Sequence, residues 1–159
     1  MEPSGVAHTA FASASLLLGI GVLTRPKGTD RHRILGVLYV LCMFGLNVTA
    51  LTIYRVFGRV GPFHVLSAIN LLILLAGFGV VFLRRPRRAW LQYHYYLMGW
   101  SYVGLCAAAA TEVAVRLPGV SFLAGVIVPT VCVTILGGTW VQLQKRKTLA
   151  TIGQGHHAA

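Results

Sequence analysis

The sequence predicts an all-α integral membrane protein, a bundle of five transmembrane helices. Hydrophobic residues make up 56% of the 159 residues and charged residues only 11%, against about 25% charged residues in a soluble domain. The apolar residues fall into five segments, each long enough to cross the hydrocarbon core. Since a single apolar segment in lipid must satisfy its own backbone hydrogen bonds, these segments are predicted to be helices.

The predicted spans are, in chain order, 6–24, 34–54, 62–83, 90–113 and 119–141. The first span has no preceding basic region and ends in Arg25-Pro26 instead of a small-residue cleavage site, so we expect a mature helix and not a signal peptide. Little chain is left for a separate soluble module. We therefore expect one transmembrane domain, 1–143, and a basic, disordered cytoplasmic tail, 144–159.

The positive charges predict the orientation of the chain. The net charge is +11, and the basic residues cluster at 25–33, 84–88 and 145–147, which are alternate loops and the tail. The positive-inside rule then places the N-terminus outside and the C-terminus in the cytoplasm, with Arg55, Arg59 and Arg116 on the outer side. We interpret the basic charge as topology and attraction to anionic lipid headgroups, and we expect no nucleic-acid partner.

Helices 1–2 and 3–4 are predicted to form a parallel internal repeat. The segment 17–22, followed by Arg25-Pro26, resembles 75–80, followed by Arg84-Arg85-Pro86. Each copy begins with a histidine, and each leads through a basic loop to a helix with another histidine near its start. Copies with the same orientation are related by an axis along the membrane normal. Chance likeness between helices rich in Gly and Leu is the alternative explanation.

Four histidines lie alternately at the two ends of these helices, His8 and His64 at the outer end and His32 and His94 at the cytoplasmic end. Histidine is costly in hydrocarbon and indicates a functional site there.

The repeat axis would pair His8 with His64 and His32 with His94. Two neutral imidazoles on separate helices are the axial ligands that b-type haem requires. The pattern predicts a transmembrane electron-transfer protein with haem b at these histidines, one haem near each face if both pairs bind. Because His32 precedes the predicted start of span two, the inner pair is expected to be level only to within a turn or two.

Small residues follow each histidine and would leave room for a macrocycle. They are Ala12, Gly36, Ala68 and Gly99. Ordinary close packing of membrane helices explains them equally well.

A metal site at the outer end is the alternative. Glu112 follows His94 on the same helix and lies about 27 Å further along it, at the outer level. His8, His64 and Glu112 could then converge as ligands for zinc, copper or non-haem iron, either as a metal-binding site or as the site of a small transporter. Glu112 could instead form an ion pair with Arg116 one turn on, or with Arg55.

Hydrolase and kinase chemistry has no support in the sequence. There is no GxSxG, HExxH or Walker motif, and the acidic residues number only three. The cysteines lie within apolar spans and form no CxxCH motif for covalent haem attachment. No catalytic residue is assigned, and any enzymatic role would be that of an oxidoreductase-type electron carrier. A quinone or redox proteins are the expected partners, and a structural subunit of a larger membrane complex is a further alternative.

Two resemblances bear on these predictions. The alternating histidines resemble the architecture of two-haem, ascorbate-reducible b-type cytochromes, six-helix proteins in which four consecutive helices each supply one histidine. In sequence, residues 25–112 resemble an uncharacterised bacterial multi-pass membrane family with the signatures HR-x-x-G-x-x-Y and H-x-x-x-M-x-x-S-Y. The matching residues here are His32-Arg33, Gly36 and Tyr39, then His94, Met98 and Ser101-Tyr102. Tyr95 follows His94 where we would expect a second His-Arg pair like His32-Arg33. The resemblance implies a multi-pass protein of the bacterial inner membrane.

Overall fold

The computed structural model describes residues 3–53, 58, 60–84 and 89–155, and it contains five helices and no strand within those residues. The helices are α1 Pro3–Thr24, α2 Asp30–Thr52, α3 Pro62–Leu83, α4 Trp90–Ala114 and α5 Phe122–Gly155. The predicted all-α class is confirmed. Three groups named in the sequence analysis lie outside the described residues: Arg55 and Arg59, the run 85–88, and the tail from 156 onward.

The start of α2 differs from the predicted span because capping extends the helix beyond its apolar run. Thr29 is the N-cap, and its side chain accepts a hydrogen bond from the backbone N–H of His32 at 3.3 Å. Asp30 adds a negative charge in the first turn, where the helix dipole favours it. The helix therefore begins at Asp30 and includes His32, which the sequence analysis placed before span two.

The end of α1 is fixed by Lys27 in the loop that follows it. The Lys27 ammonium donates hydrogen bonds to the backbone carbonyls of Val22 and Leu23, both at 2.8 Å. These are among the carbonyls that a helix leaves unpaired at its C-terminus. Burial lowers the pKa of Lys27 from its ordinary value.

Four of the helices are apolar and long enough to cross a membrane: α1, α2, α3 and the Phe122–Lys145 part of α5. The remaining predicted span, the fourth, is α4, a helix of 25 residues whose first turns contain Trp, Gln, Tyr and His side chains that lower its hydropathy. At about 1.5 Å per residue α4 spans roughly 37 Å, so its length matches the bilayer. The helix packs against α1, α3 and α5, which covers much of its surface with protein.

Helices α1 to α4 form a ring. In this ring α1 contacts α2, α2 contacts α3, α3 contacts α4, and α4 contacts α1. Helices α2 and α4 therefore lie on one diagonal and α1 and α3 on the other, with no backbone approach across either diagonal among the described residues. The fifth helix packs on the outside, against α4. This order is compatible with two related hairpins, and the parallel repeat itself stays a prediction.

The core of the bundle lies inside the ring, with most of its members on α2 and the others on α3 and α4. Its buried members are Tyr39, Val40, Met43, Leu46, Leu74 and Leu105. Two glycines let α1 approach α4 and α2 closely. A Cβ at Gly19 would lie 2.1 Å from Cε2 of Tyr102, and one at Gly45 would lie 2.8 Å from Cζ of Phe11. Aromatic rings thus occupy the space that the missing side chains leave, as small residues allow at membrane helix interfaces.

Helix α5 continues without a break to Gly155, where composition predicts a span ending at 141 and a disordered tail from 144. The residues after 141 are mostly Gln, Lys, Arg, Leu and Ala, which favour helix in water as well as in lipid. Lys145 also places its ammonium 5.1 Å from the ring centre of Tyr96, which attaches this part of α5 to α4.

Candidate functional site at the His32 and His94 end

A pair of buried hydroxyls connects α2 and α4 across the ring. The Tyr39 hydroxyl lies 3.0 Å from Oγ of Ser101, and the two residues are 2% and 0% exposed. Ser101 donates its own proton to the backbone carbonyl of Met98 at 2.9 Å. Tyr39 is therefore the donor of the bond to Ser101. This contact joins two helices whose backbones do not touch.

The hydroxyl pair also sets the level of the inner histidines. Tyr39 follows His32 by seven residues, and Ser101 follows His94 by seven residues. Helices α2 and α4 run in the same direction, so both histidines lie about 10 Å from the hydroxyl pair toward the same membrane face. The two imidazoles are close enough to interact electrostatically. The earlier start of α2 thus removes the offset that the sequence predicted between them.

His94 has a defined tautomer. Its Nδ1 atom lies 2.7 Å from the backbone carbonyl oxygen of Gly77 on α3. A carbonyl only accepts, so Nδ1 has the proton and Nε2 keeps a free lone pair. Metal-ligating histidines generally have this arrangement, in which a backbone carbonyl holds one ring nitrogen and the other binds the metal.

His32 presents a nitrogen without a partner. Its Nδ1 atom is buried and has no hydrogen bond to any part of the chain that the structure describes. The ring lies near the backbone carbonyl of Val22 and the Lys27 ammonium. One turn further along α2, a Cβ added to Gly36 would meet no atom within 4 Å, so space is open beside the histidine. Gly99 on α4 differs, because a Cβ there would lie 3.2 Å from Val141 of α5.

A second tyrosine supports the same region. The Tyr102 hydroxyl donates to the backbone carbonyl of Leu16 on α1 at 3.1 Å, and it interacts with the Cys106 thiol. Its ring lies 6.2 Å from that of Tyr39. In the sequence, Tyr39, Ser101 and Tyr102 stand out only as residues of the family signatures, and their contacts were not predicted.

The outer histidines are in different environments. Nδ1 of His8 lies 3.2 Å from Oγ1 of Thr49, whose own proton goes to backbone carbonyls of α2, so His8 donates from Nδ1. Nδ1 of His64 accepts the backbone N–H of Gly61 at 3.2 Å. In a neutral His64 ring, Nε2 therefore has the proton. The predicted outer pair thus holds its two rings in opposite tautomers.

Glu112 forms an ion pair with Arg116, which confirms that interpretation of its sequence position. Both side chains are 65% exposed. The His8 ring is close enough to Glu112 for an electrostatic interaction. Over the described ranges, no three His, Cys, Asp or Glu side chains group closely enough to hold a metal ion. The metal site of His8, His64 and Glu112 stays a prediction.

The fold and these polar contacts define a multi-pass helical membrane protein with histidines and a buried hydroxyl pair between the diagonal helices α2 and α4. The family model described as "Predicted membrane protein (DUF2306)" matches residues 5–145. The chain belongs to this family, which confirms the resemblance to a multi-pass membrane family. No curated protein and no solved structure matches the chain significantly.

Proposed function

We propose that His32 and His94 bind one b-type haem and that the protein transfers electrons in the membrane. The observation that supports this most is the hydrogen bond from Nδ1 of His94 to Gly77, which leaves Nε2 free for a metal. The position of His32 also supports it, because His32 precedes Tyr39 on α2 by the same seven residues that separate His94 from Ser101 on α4.

The surrounding residues fit this group. His32 and His94 would hold it, and the open space at Gly36 leaves room beside His32. The Tyr39–Ser101 bond, about two turns deeper, holds α2 and α4 at a fixed separation. When bound, the haem iron supplies one-electron chemistry, and the chain contributes ligand orientation and a water-poor environment.

A second haem at His8 and His64 is outside this proposal. His64 uses Nδ1 to accept the Gly61 N–H, so its Nε2 has no free lone pair for iron. His64 would have to break that bond and change tautomer before ligating through Nε2.

The test is the visible spectrum of the full chain purified in detergent from cells supplied with haem. We expect reduced-minus-oxidised b-type bands in the wild type and their loss in His32→Ala and His94→Ala. His8→Ala and His64→Ala are matched controls that keep the bands. His94→Met is the second variant: methionine can ligate haem iron, so the haem stays and its reduction potential rises.

Three outcomes would overturn the proposal. They are a wild-type preparation without haem, bands that persist in both inner alanine variants, and bands lost only in the outer ones. Zinc or copper found in place of haem by metal analysis would replace the haem assignment with a metal site. A protein with neither haem nor metal would leave the structural-subunit interpretation.

A further inference from the structure

Two adjoining cavities lie at the loop between α1 and α2, and the same two arginines line both. The larger cavity, about 510 Å³, is lined by Arg25, Pro26, Thr29, Asp30 and Arg31. The smaller one, about 280 Å³, is lined by Arg25, Arg31, Ile34 and Leu35. Arg25 and Arg31 therefore lie between a space at the loop and an apolar space beside α2.

These arginines have no anionic partner in the described part of the chain. The ion pairs found there join Arg33 to Asp30 at 3.5 Å and Arg116 to Glu112. With three acidic residues against 14 basic ones, the chain cannot neutralise most of its cations itself. Asp30 also lines the larger cavity but is paired with Arg33, so we expect the anion at Arg25 and Arg31 to come from outside the chain.

An apolar stripe continues from Arg31 along the outward face of α2. Ile34 is 62% exposed, and Leu38 and Leu41 follow it on the same face at helical spacing. In a membrane this stripe faces acyl chains. The surface thus has a paired positive charge at the loop and a hydrocarbon-facing strip directly below it.

We propose that this surface binds one anionic phospholipid, with the phosphodiester between Arg25 and Arg31 and one acyl chain along Ile34, Leu38 and Leu41. Guanidinium groups bind phosphate through paired, charge-assisted hydrogen bonds, so two of them select a phosphate over a diffuse layer of headgroups. The site is separate from His32 and His94, and it does not depend on haem binding.

The experiment titrates the full chain in detergent with phosphatidylglycerol and, separately, with phosphatidylcholine, and it counts bound lipids by native mass spectrometry. The wild type is expected to retain one phosphatidylglycerol in preference to phosphatidylcholine. The double variant R25Q/R31Q should bind phosphatidylglycerol about 30-fold more weakly, since two basic contacts are lost. Arg33→Gln is the matched control, because Arg33 is exposed and already paired with Asp30.

A second variant guards against a folding defect in R25Q/R31Q. Ile34→Asp keeps both arginines but places a carboxylate at the head of the stripe, so it should also lose phosphatidylglycerol. Equal binding by wild type and R25Q/R31Q, or equal loss in Arg33→Gln, would overturn the proposal. Displacement of the lipid by millimolar inorganic phosphate would also overturn it, because that outcome identifies a site for free phosphate.

Discussion

Removing the two buried hydroxyls between α2 and α4 one at a time should produce unequal losses of stability. Ser101 donates to Met98 and accepts from Tyr39, so the bond between them has a direction. In Tyr39→Phe, Ser101 keeps its bond to Met98 and no polar group is left alone. In Ser101→Ala, the Tyr39 hydroxyl, on a residue only 2% exposed, loses its acceptor.

The two costs follow from these contacts. Tyr39→Phe should lower the free energy of unfolding by about 0.6 kcal/mol, the average for a hydrogen bond between membrane helices. Ser101→Ala should lower it by about 1–3 kcal/mol, the cost of a buried hydroxyl left unsatisfied. The double variant should be more stable than Ser101→Ala alone, because it removes the orphaned hydroxyl too.

The assay is reversible unfolding in mixed detergent micelles, followed by circular dichroism for the wild type, both single variants and the double variant. Tyr93→Phe is the matched control, since Tyr93 is 50% exposed on the same helix, and it should leave stability unchanged. A loss in Tyr39→Phe as large as that in Ser101→Ala, or additive losses in the double variant, would contradict the assignment of Tyr39 as the donor.

The same unfolding assay checks three further variants. Gly19→Ala places a Cβ 2.1 Å from Cε2 of Tyr102 and should lower the free energy of unfolding by about 1–3 kcal/mol. Its control is Gly79→Ala, whose Cβ would meet no atom within 4 Å and should leave stability unchanged. Equal effects of the two variants would contradict the close approach of α1 to α4. Arg116→Gln breaks an exposed ion pair and should change stability by less than about 1 kcal/mol, so a larger loss would show that Glu112 has a further role. Lys27→Met removes two hydrogen bonds to α1 carbonyls and should cost about 1–2 kcal/mol, and an unchanged value would mean that water replaces the ammonium there.

Hydrophobicity predicted the helix ends well where an apolar run ends at the helix terminus, and poorly where polar residues continue the helix beyond the apolar run. The predicted span 62–83 coincides with Pro62–Leu83. The proline marks the start of the helix, and the change from apolar residues to Arg84 marks its end. The start of α2 was missed because Thr29 and Asp30 are polar, and a cap is detected by hydrogen bonding. The end of α5 was missed because polar helix formers extend a helix beyond the membrane.

The candidate site was predicted as residues but not as contacts. The family signatures contain His32, Gly36 and Tyr39 on one helix and His94 and Ser101 on another, each set at spacings that place its members on one face. That equal spacing could have predicted the meeting of Tyr39 with Ser101. The proton positions could not be predicted, because they depend on the backbone groups of Gly77 and Gly61 that the folded chain brings to the rings.

The repeat hypothesis predicts equivalent histidine pairs, yet helix position makes the two ends chemically different. His64 is the third residue of α3, where the first backbone N–H groups have no helical partner, so its ring turns back to accept the N–H of Gly61. His94 lies within α4, where its own backbone is paired, so its ring reaches the carbonyl of Gly77 on α3 instead. An acceptor at a histidine's Nδ1 frees Nε2 for iron, and a donor there blocks it. We therefore expect one haem per chain in a haem-to-protein assay, and two per chain would show that His64 changes tautomer when iron binds.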